Sequence, residues 1–291
     1  MARGFLRDTL ILVAVFAAVL GGLWLYTGVW PPAVIVESNS MMHPEGEVPY
    51  GRFGTIDPGD LVLVKEMDAA SIATFAEGGK ERYGLPGEVL VFRPPARPDP
   101  PIIHRAIAWV DVVGGGETIQ YRVRWDPGAD CPRAATRDGD ACVFDRDGVT
   151  IASANVFGYK APRSGFITKG DHNPSIDQTG TISADERGNP STVQPGWIVG
   201  VARAELPWLG LIKLSLAGTY NQPACAPRQL EYHFFSPSPT CAGWVGLGHA
   251  FAPKDLWVML FVALFLLIVV PLVVDAVRRW RAKKDEPPPA P

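Results

Sequence analysis

The chain has 291 residues, 47% of them hydrophobic, and a formal net charge of −3. That length allows one or two domains, and the near-neutral balance gives no basis for nucleic-acid binding. Its 30 glycines and 28 prolines stay below the ~25–30% share that marks disordered chains.

Hydrophobicity is concentrated in two places. Residues 9–36 carry no charge. The core of that run, residues 10–30, is long enough to cross ~30 Å of hydrocarbon at about 1.5 Å per residue. A cleaved signal peptide fits less well. The run exceeds the roughly 7–15 residues of such a segment, and Trp30-Pro31-Pro32 follows where small residues would mark a cleavage site. A second uncharged run, residues 256–274, lies between Asp255 and Asp275. Trp24, Tyr26, Trp30 and Trp257 stand at the ends of these runs, where amphipathic rings favour the water–lipid boundary. The basic flank Arg278, Arg279, Arg281, Lys283 and Lys284 reads as a stop-transfer signal. With Arg3 and Arg7 ahead of the first run, the positive-inside rule places both termini in the cytoplasm. The expected organisation is a cytoplasmic N-terminus (1–8), a transmembrane helix (9–30) and an external β domain (31–220). An external cysteine-containing loop (221–255), a second transmembrane helix (256–274) and a basic, proline-rich cytoplasmic tail (275–291) follow. The protein is thus expected in the cell membrane with two spans and its main domain outside.

Within the external segment, residues 33–37 (AVIVE) are a β-branched run and a predicted strand. The turn Asp57-Pro58-Gly59-Asp60 leads into an alternating strand ending at Lys65, and a glycine turn opens another over 87–92. Residues 102–113 form the next predicted strand, pairing with 121–125 across Gly114-Gly115-Gly116. Strands are also predicted over 165–169 and 197–205, and residues 206–212 are apolar enough to touch core or lipid. Many short strands with frequent turns imply a mostly β domain. Residues 111–157, rich in Asp, Arg and Gly, read as an insertion or small subdomain. All four cysteines lie in the external segment, where disulfides persist. Local pairings, Cys131–Cys142 and Cys225–Cys241, are favoured, each closing a short loop for about 3 kcal/mol. No C-x-x-C spacing supports a metal role.

Ser40 lies in Glu37-Ser38-Asn39-Ser40-Met41-Met42-His43-Pro44, shortly after the first apolar run. A serine hydroxyl needs a base within hydrogen-bond reach to act as a nucleophile. The candidates are His43, His104, His172, His233, His249 and a desolvated lysine, of which Lys65 is the rival to the histidines. His104 has the best context, an ionisable residue in an apolar strand, although a lone strand histidine is more often structural. His43 is only three residues from Ser40, which makes in-line geometry harder. His172, Asp171 and Asp177 can be read as turn residues of residues 170–177, and a metal site built from His104, Asp171, His172 and Asp177 lacks a recognised ligand spacing. The residues alone leave two readings open: a serine hydrolase, or a non-catalytic membrane-anchored binding domain.

Residues 38–44 (SNSMMHP) resemble the Ser-x-Ser-Met box of type I signal peptidases, residues 56–65 (IDPGDLVLVK) the Gly-Asp strand after it, and residues 87–92 (GEVLVF) the next strand. Residues 102–107 (IIHRAI) resemble the box that holds the general base, and residues 169–177 (KGDHNPSID) the last Gly-Asp box. The likeness spans about residues 34–210, with gaps, and five boxes in this order are specific. Bacterial members carry lysine immediately before the arginine of the fourth box. Here His104 precedes Arg105, the pattern of the archaeal and endoplasmic-reticulum members. The serine box departs from the usual Ser-Met-x-Pro, since Met42-His43-Pro44 adds a residue, and residues 111–157 have no clear counterpart.

The resemblance implies a signal-peptidase-like β fold with Ser40 as nucleophile and His104 as the general base that returns its proton to the leaving amine. It implies Asp177 as the carboxylate that steadies the imidazolium and Asp171 as a turn or supporting residue. The oxyanion donors would be the Ser40 backbone N–H and the Ser38 hydroxyl, and Arg105 is expected to pair with a carboxylate. The implied substrates are secretory preproteins, held by an apolar segment in membrane lipid while an extended cleavage segment adds along residues 33–37. Small side chains would fill shallow pockets there. No cofactor is called for.

Overall fold

The computed structural model describes residues 2–43, 54–207, 209–217 and 254–284. In chain order the strands are β1 (Ala33–Ile35), β2 (Leu61–Lys65), β3 (Glu81–Arg82), β4 (Leu85–Pro86), β5 (Val89–Phe92), β6 (Ile102–Val113) and β7 (Gln120–Arg124). They continue as β8 (Ala135–Asp138), β9 (Ala141–Phe144), β10 (Val149–Ile151), β11 (Val156–Tyr159), β12 (Gly165–Lys169) and β13 (Ile198–Leu206). The helices are α1 (Ala2–Thr27), α2 (Leu209–Ala217) and α3 (Lys254–Lys284). The fold is mostly antiparallel β, with an apolar C-terminal helix and an N-terminal helix whose apolar stretch is shorter.

One nine-stranded sheet runs β1-β2-β13-β5-β6-β7-β9-β8, with β12 also paired to β6. The 12 residues of β6 contain neither Gly nor Pro, so the strand runs on uninterrupted and serves three partners. β5 takes Ile102 to Arg105, β12 takes Arg105 to Val110, and β7 takes Val110 to Val113. All four residues of β5 are buried, which requires cover on both faces of the sheet. Val89 and Val91 pack with Val36, Met41 and Ile56, whereas Leu90 and Phe92 pack with Ile72, Phe166 and Val201. The two-residue period of the strand thus divides its side chains between two cores.

The strands expected from sequence lie within about two residues of β1, β2, β5, β6, β7, β12 and β13, whereas β3, β4 and β8 to β11 are not among them. Residues 111–157 are built in part into the main sheet, and β10 and β11 pair separately. β7, β9 and β8 extend the main sheet, and Tyr121, Val123, Cys142 and Phe144 share a core with Ile107, Val110 and Ile167. Cys131 and Cys142 are bonded, their Cα atoms 5.7 Å apart. Cys225 and Cys241 lie outside the described residues.

The helix ends also differ. α1 begins at Ala2, inside the expected cytoplasmic N-terminus, and stops at Thr27, while α3 continues to Lys284 through the first part of the expected tail. Among the described residues one stretch, Val258–Val277, is long and apolar enough to cross a membrane, with a mean hydropathy of 2.9. The apolar stretch in α1 is the shorter Val13–Thr27. Both helices attach to the β1–β2 edge of the sheet, α1 at the Lys65 end of β2 and α3 at the Leu61 end. Thr27 O accepts from Glu66 N–H (2.7 Å) just past β2, and Leu260 of α3 packs with Leu211 and Leu214 of α2 against Ile35 of β1.

Candidate active site

Ser40 and Met41 form the middle of a turn closed by Met42 N–H donating to Asn39 O (3.1 Å). Met41 is buried among Val36, Ile56, Val62 and Val64, which anchors the turn in the core and leaves Ser40 half-buried above it. A second tie comes from the far end of the chain, where His172 N–H donates to Ser40 O (2.9 Å). That approach depends on Gly170. A Cβ there would lie 2.5 Å from Ser40 O and 2.9 Å from His104 Nε2, distances no side chain tolerates.

His104 projects from β6 towards this turn. Its Nε2 is 2.9 Å from Ser40 Oγ, and its Nδ1 is 2.8 and 2.7 Å from the two oxygens of Asp177. Asp177 is buried at the start of a short helical turn, Asp177–Thr179, where its Oδ2 also accepts from Thr168 Oγ1 (2.6 Å). Thr168 Oγ1 in turn accepts from Gln178 Nε2 (3.2 Å), and Gln178 Oε1 accepts from Thr168 N–H (3.2 Å). The carboxylate therefore acts as acceptor, His104 Nδ1 donates to it, and the Nε2 lone pair faces the serine hydroxyl. With the Ser40 proton directed at His104, the Ser38 hydroxyl 3.1 Å away donates to Ser40 Oγ.

Arg105, the next residue of β6, projects from the opposite face and is wholly buried. Its Nε and Nη2 grip the two oxygens of Asp171 at 2.8 and 2.5 Å. Its Nη1 donates to Leu85 O (3.0 Å) and Gly87 O (2.9 Å), around β4. His43 Nε2 lies 2.6 Å from Asp171 Oδ2. Burial pushes the Asp171 carboxyl up, but Arg105 and His43 outweigh it and hold the group below the usual carboxylate range. Lys169 is also fully buried, its Nζ donating to Ala154 O (3.3 Å). Burial lowers its pKa to about 8, against the raising influence of Asp171 and Asp177.

The structure thus brings together Ser38, Ser40, His104 and Asp177, which the sequence singled out. Asp171 is not a bare turn former but the buried partner of Arg105. Of the other base candidates, His43 faces Asp171, His172 contributes its backbone to Ser40, and Lys65 Nζ sits 4.6 Å above the centre of the Tyr26 ring. His233 and His249 lie outside the described residues. Sequence reasoning missed Thr168 and Gln178, which orient Asp177, and the need for glycine at 170. The one available signal was a polar Thr168 following the apolar Phe166 and Ile167, beside the Gly-Asp run. A hydroxyl, an imidazole acceptor and a buried carboxylate in hydrogen-bonded succession can generate a nucleophile and move a proton to a leaving group. No family model matches the chain, and no curated protein matches it.

Proposed function

We propose that this chain is a membrane-tethered serine endopeptidase of the type I signal peptidase kind, in its archaeal and endoplasmic-reticulum form. It removes signal peptides from secretory preproteins at the outer membrane surface. The observation that carries the reading is the unbroken run of contacts from Ser40 Oγ through His104 to Asp177. The five sequence boxes, in family order, point the same way.

In this reading Ser40 Oγ attacks the scissile carbonyl carbon while its proton passes to His104 Nε2. Asp177 holds the ring orientation and stabilises the imidazolium. The Ser40 backbone N–H and the Ser38 hydroxyl donate to the oxyanion. His104 then protonates the amine of the departing mature protein, leaving the signal peptide acylated on Ser40. Water, giving up a proton to His104, hydrolyses that ester and restores the serine. Attachment of α1 and α3 along the β1–β2 edge supports a site close to lipid, as does the apolar stretch Val258–Val277. Two spans with both termini in the cytoplasm follow from the flanking basic residues.

The test is cleavage of a model preprotein by the full-length protein in detergent, with the new N-terminus sequenced. Cleavage at one site, lost by ~10³-fold or more in Ser40→Ala with folding intact, is expected. A membrane-anchored binding domain would leave the preprotein uncut, and equal cleavage by Ser40→Ala would also overturn the proposal.

A further inference from the structure

The catalytic scheme leaves His43 unused. It stands where the serine box departs from the family pattern, so the resemblance gives it no role. The ring is nearly buried, its side chain 9% exposed, and its partner Asp171 is fixed. Arg105 grips both oxygens of that carboxylate and is itself held by Leu85 O and Gly87 O. Because Asp171 is held in its ionised form beside a guanidinium, it can only accept, so His43 Nε2 carries the proton between them. On the other side of the ring lies Gly84, at φ +81°, where a Cβ would come 2.9 Å from His43 Nδ1. The turn joining β3 and β4 therefore closes onto the imidazole through a residue with no side chain.

We infer that His43 is a positioning residue for Ser40: its ring, clamped between Asp171 and Gly84, fixes the turn that carries the nucleophile so that Ser40 Oγ stays in reach of His104 Nε2. The inference rests on the serine peptidase reading. The turn has little regular structure of its own and depends on its attachments. Met41 anchors it from below and His172 N–H holds the Ser40 carbonyl. His43, three residues beyond Ser40, ties the outgoing chain to the same segment that supplies Asp177. Arg105 meets both oxygens of Asp171 without using His43, so replacing His43 is expected to act on the turn and leave the buried ion pair in place. A displacement of about 1 Å at a reacting group costs on the order of a hundredfold in rate.

The experiment compares wild type, His43→Gln and His43→Leu as full-length proteins in detergent. Each is titrated with a fluorophosphonate that labels the reactive serine, then assayed on a model preprotein. Labelling of wild type but not Ser40→Ala tests the serine reading separately. Glutamine retains an N–H that reaches Asp171, and leucine does not. Per labelled site, His43→Leu is expected to lower kcat about tenfold to a hundredfold with KM within about twofold, and to slow labelling to match. His43→Gln is expected to recover most of the loss. A role confined to folding would reduce the number of labelled sites and leave kcat per site alone, and that result overturns the inference. So does a His43→Gln variant as impaired as His43→Leu.

Discussion

The protein holds two histidine–carboxylate pairs built from neighbouring residues, and they serve different ends. Ser40 lies in a turn and His43 just beyond it, His104 and Arg105 are adjacent on β6, and Asp171 and Asp177 lie on one segment after β12. In the first pair, His104 meets Asp177, whose other oxygen contact is the neutral hydroxyl of Thr168. In the second, His43 meets Asp171, whose charge is already matched by the bidentate guanidinium of Arg105. A carboxylate that faces an imidazole and a neutral donor can stabilise the imidazolium that forms when the ring takes a proton. One neutralised by arginine has less to give, and serves as a fixed post. The pleat of β6 makes the division, sending His104 and Arg105 to opposite faces.

The sharpest break of this comparison is to neutralise each carboxylate in turn. Asp177→Asn keeps the shape of the site but removes the charge and favours the wrong tautomer of His104. Preprotein cleavage is expected to fall about 10⁴-fold with the thermal midpoint near wild type. Asp171→Asn strands Arg105 without its counter-charge in the interior. It is expected to cost about 3–5 kcal/mol of stability in a urea titration, with a smaller loss of turnover per folded molecule. If Asp171→Asn reproduced the kinetic loss and Asp177→Asn unfolded the protein, the two roles would be reversed.

Gly170 lies between the two arms and touches the first. Gly170→Ala places a methyl against Ser40 O and His104 Nε2. The expected result is a kcat about a hundredfold lower, with the mature product unchanged in sequence. Near-normal kcat would mean that the turn and the end of β12 move apart freely.

The buried charges around these arms give the pH dependence two limbs, one acid and one alkaline, and stability rises with pH over both. Asp171 has a folded pKa below its unfolded one, so it contributes stability that is present above the unfolded value and lost as pH falls through the folded one. The acid-side fall in urea midpoint should therefore flatten in Asp171→Asn. Lys169 acts in the same direction, at alkaline pH. Its folded pKa is lowered from 10.5 to about 8, so the unfolded chain holds the extra proton between those values. Over that window its contribution to stability rises with pH, and Lys169→Met should remove that rise.

The strands were legible because their sequences alternate or run apolar between Gly and Pro turns, and β6 and β12 keep the limits read from sequence. Ser40, His104 and Asp177 were legible only through the order of their boxes, since spacing along a chain does not specify which histidine meets which acid. Strands β8 to β11 were not legible because Asp, Arg and Gly are frequent around them. The buried Tyr121 and Val123 of β7 flank Arg122, and the buried Cys142 and Phe144 of β9 flank Val143, the two-residue spacing of strands in a shared sheet. The role of Arg105 was half legible. A carboxylate partner was expected, but the carbonyls of Leu85 and Gly87 meet it through folding that no local pattern encodes.

The smallest expected effect is at Lys65, and it bears on the base. A Ser–Lys pair would be chemically sound, so composition alone does not dismiss it. A base must lie within hydrogen-bond reach of the hydroxyl it activates, and His104 Nε2 meets that condition at 2.9 Å. Lys65 ends β2 opposite Val201, and its ammonium rests over the Tyr26 ring near the end of α1. There it links the sheet to the N-terminal helix by a cation–π contact of about 0.5–1 kcal/mol. Lys65→Ala is therefore expected to lower the thermal midpoint slightly and leave kcat within about twofold, with Lys65→Arg restoring the midpoint. If Lys65→Ala abolished preprotein cleavage while His104→Ala spared it, the proton would be travelling by a different route, and the contrast between the two histidine arms would lose its basis.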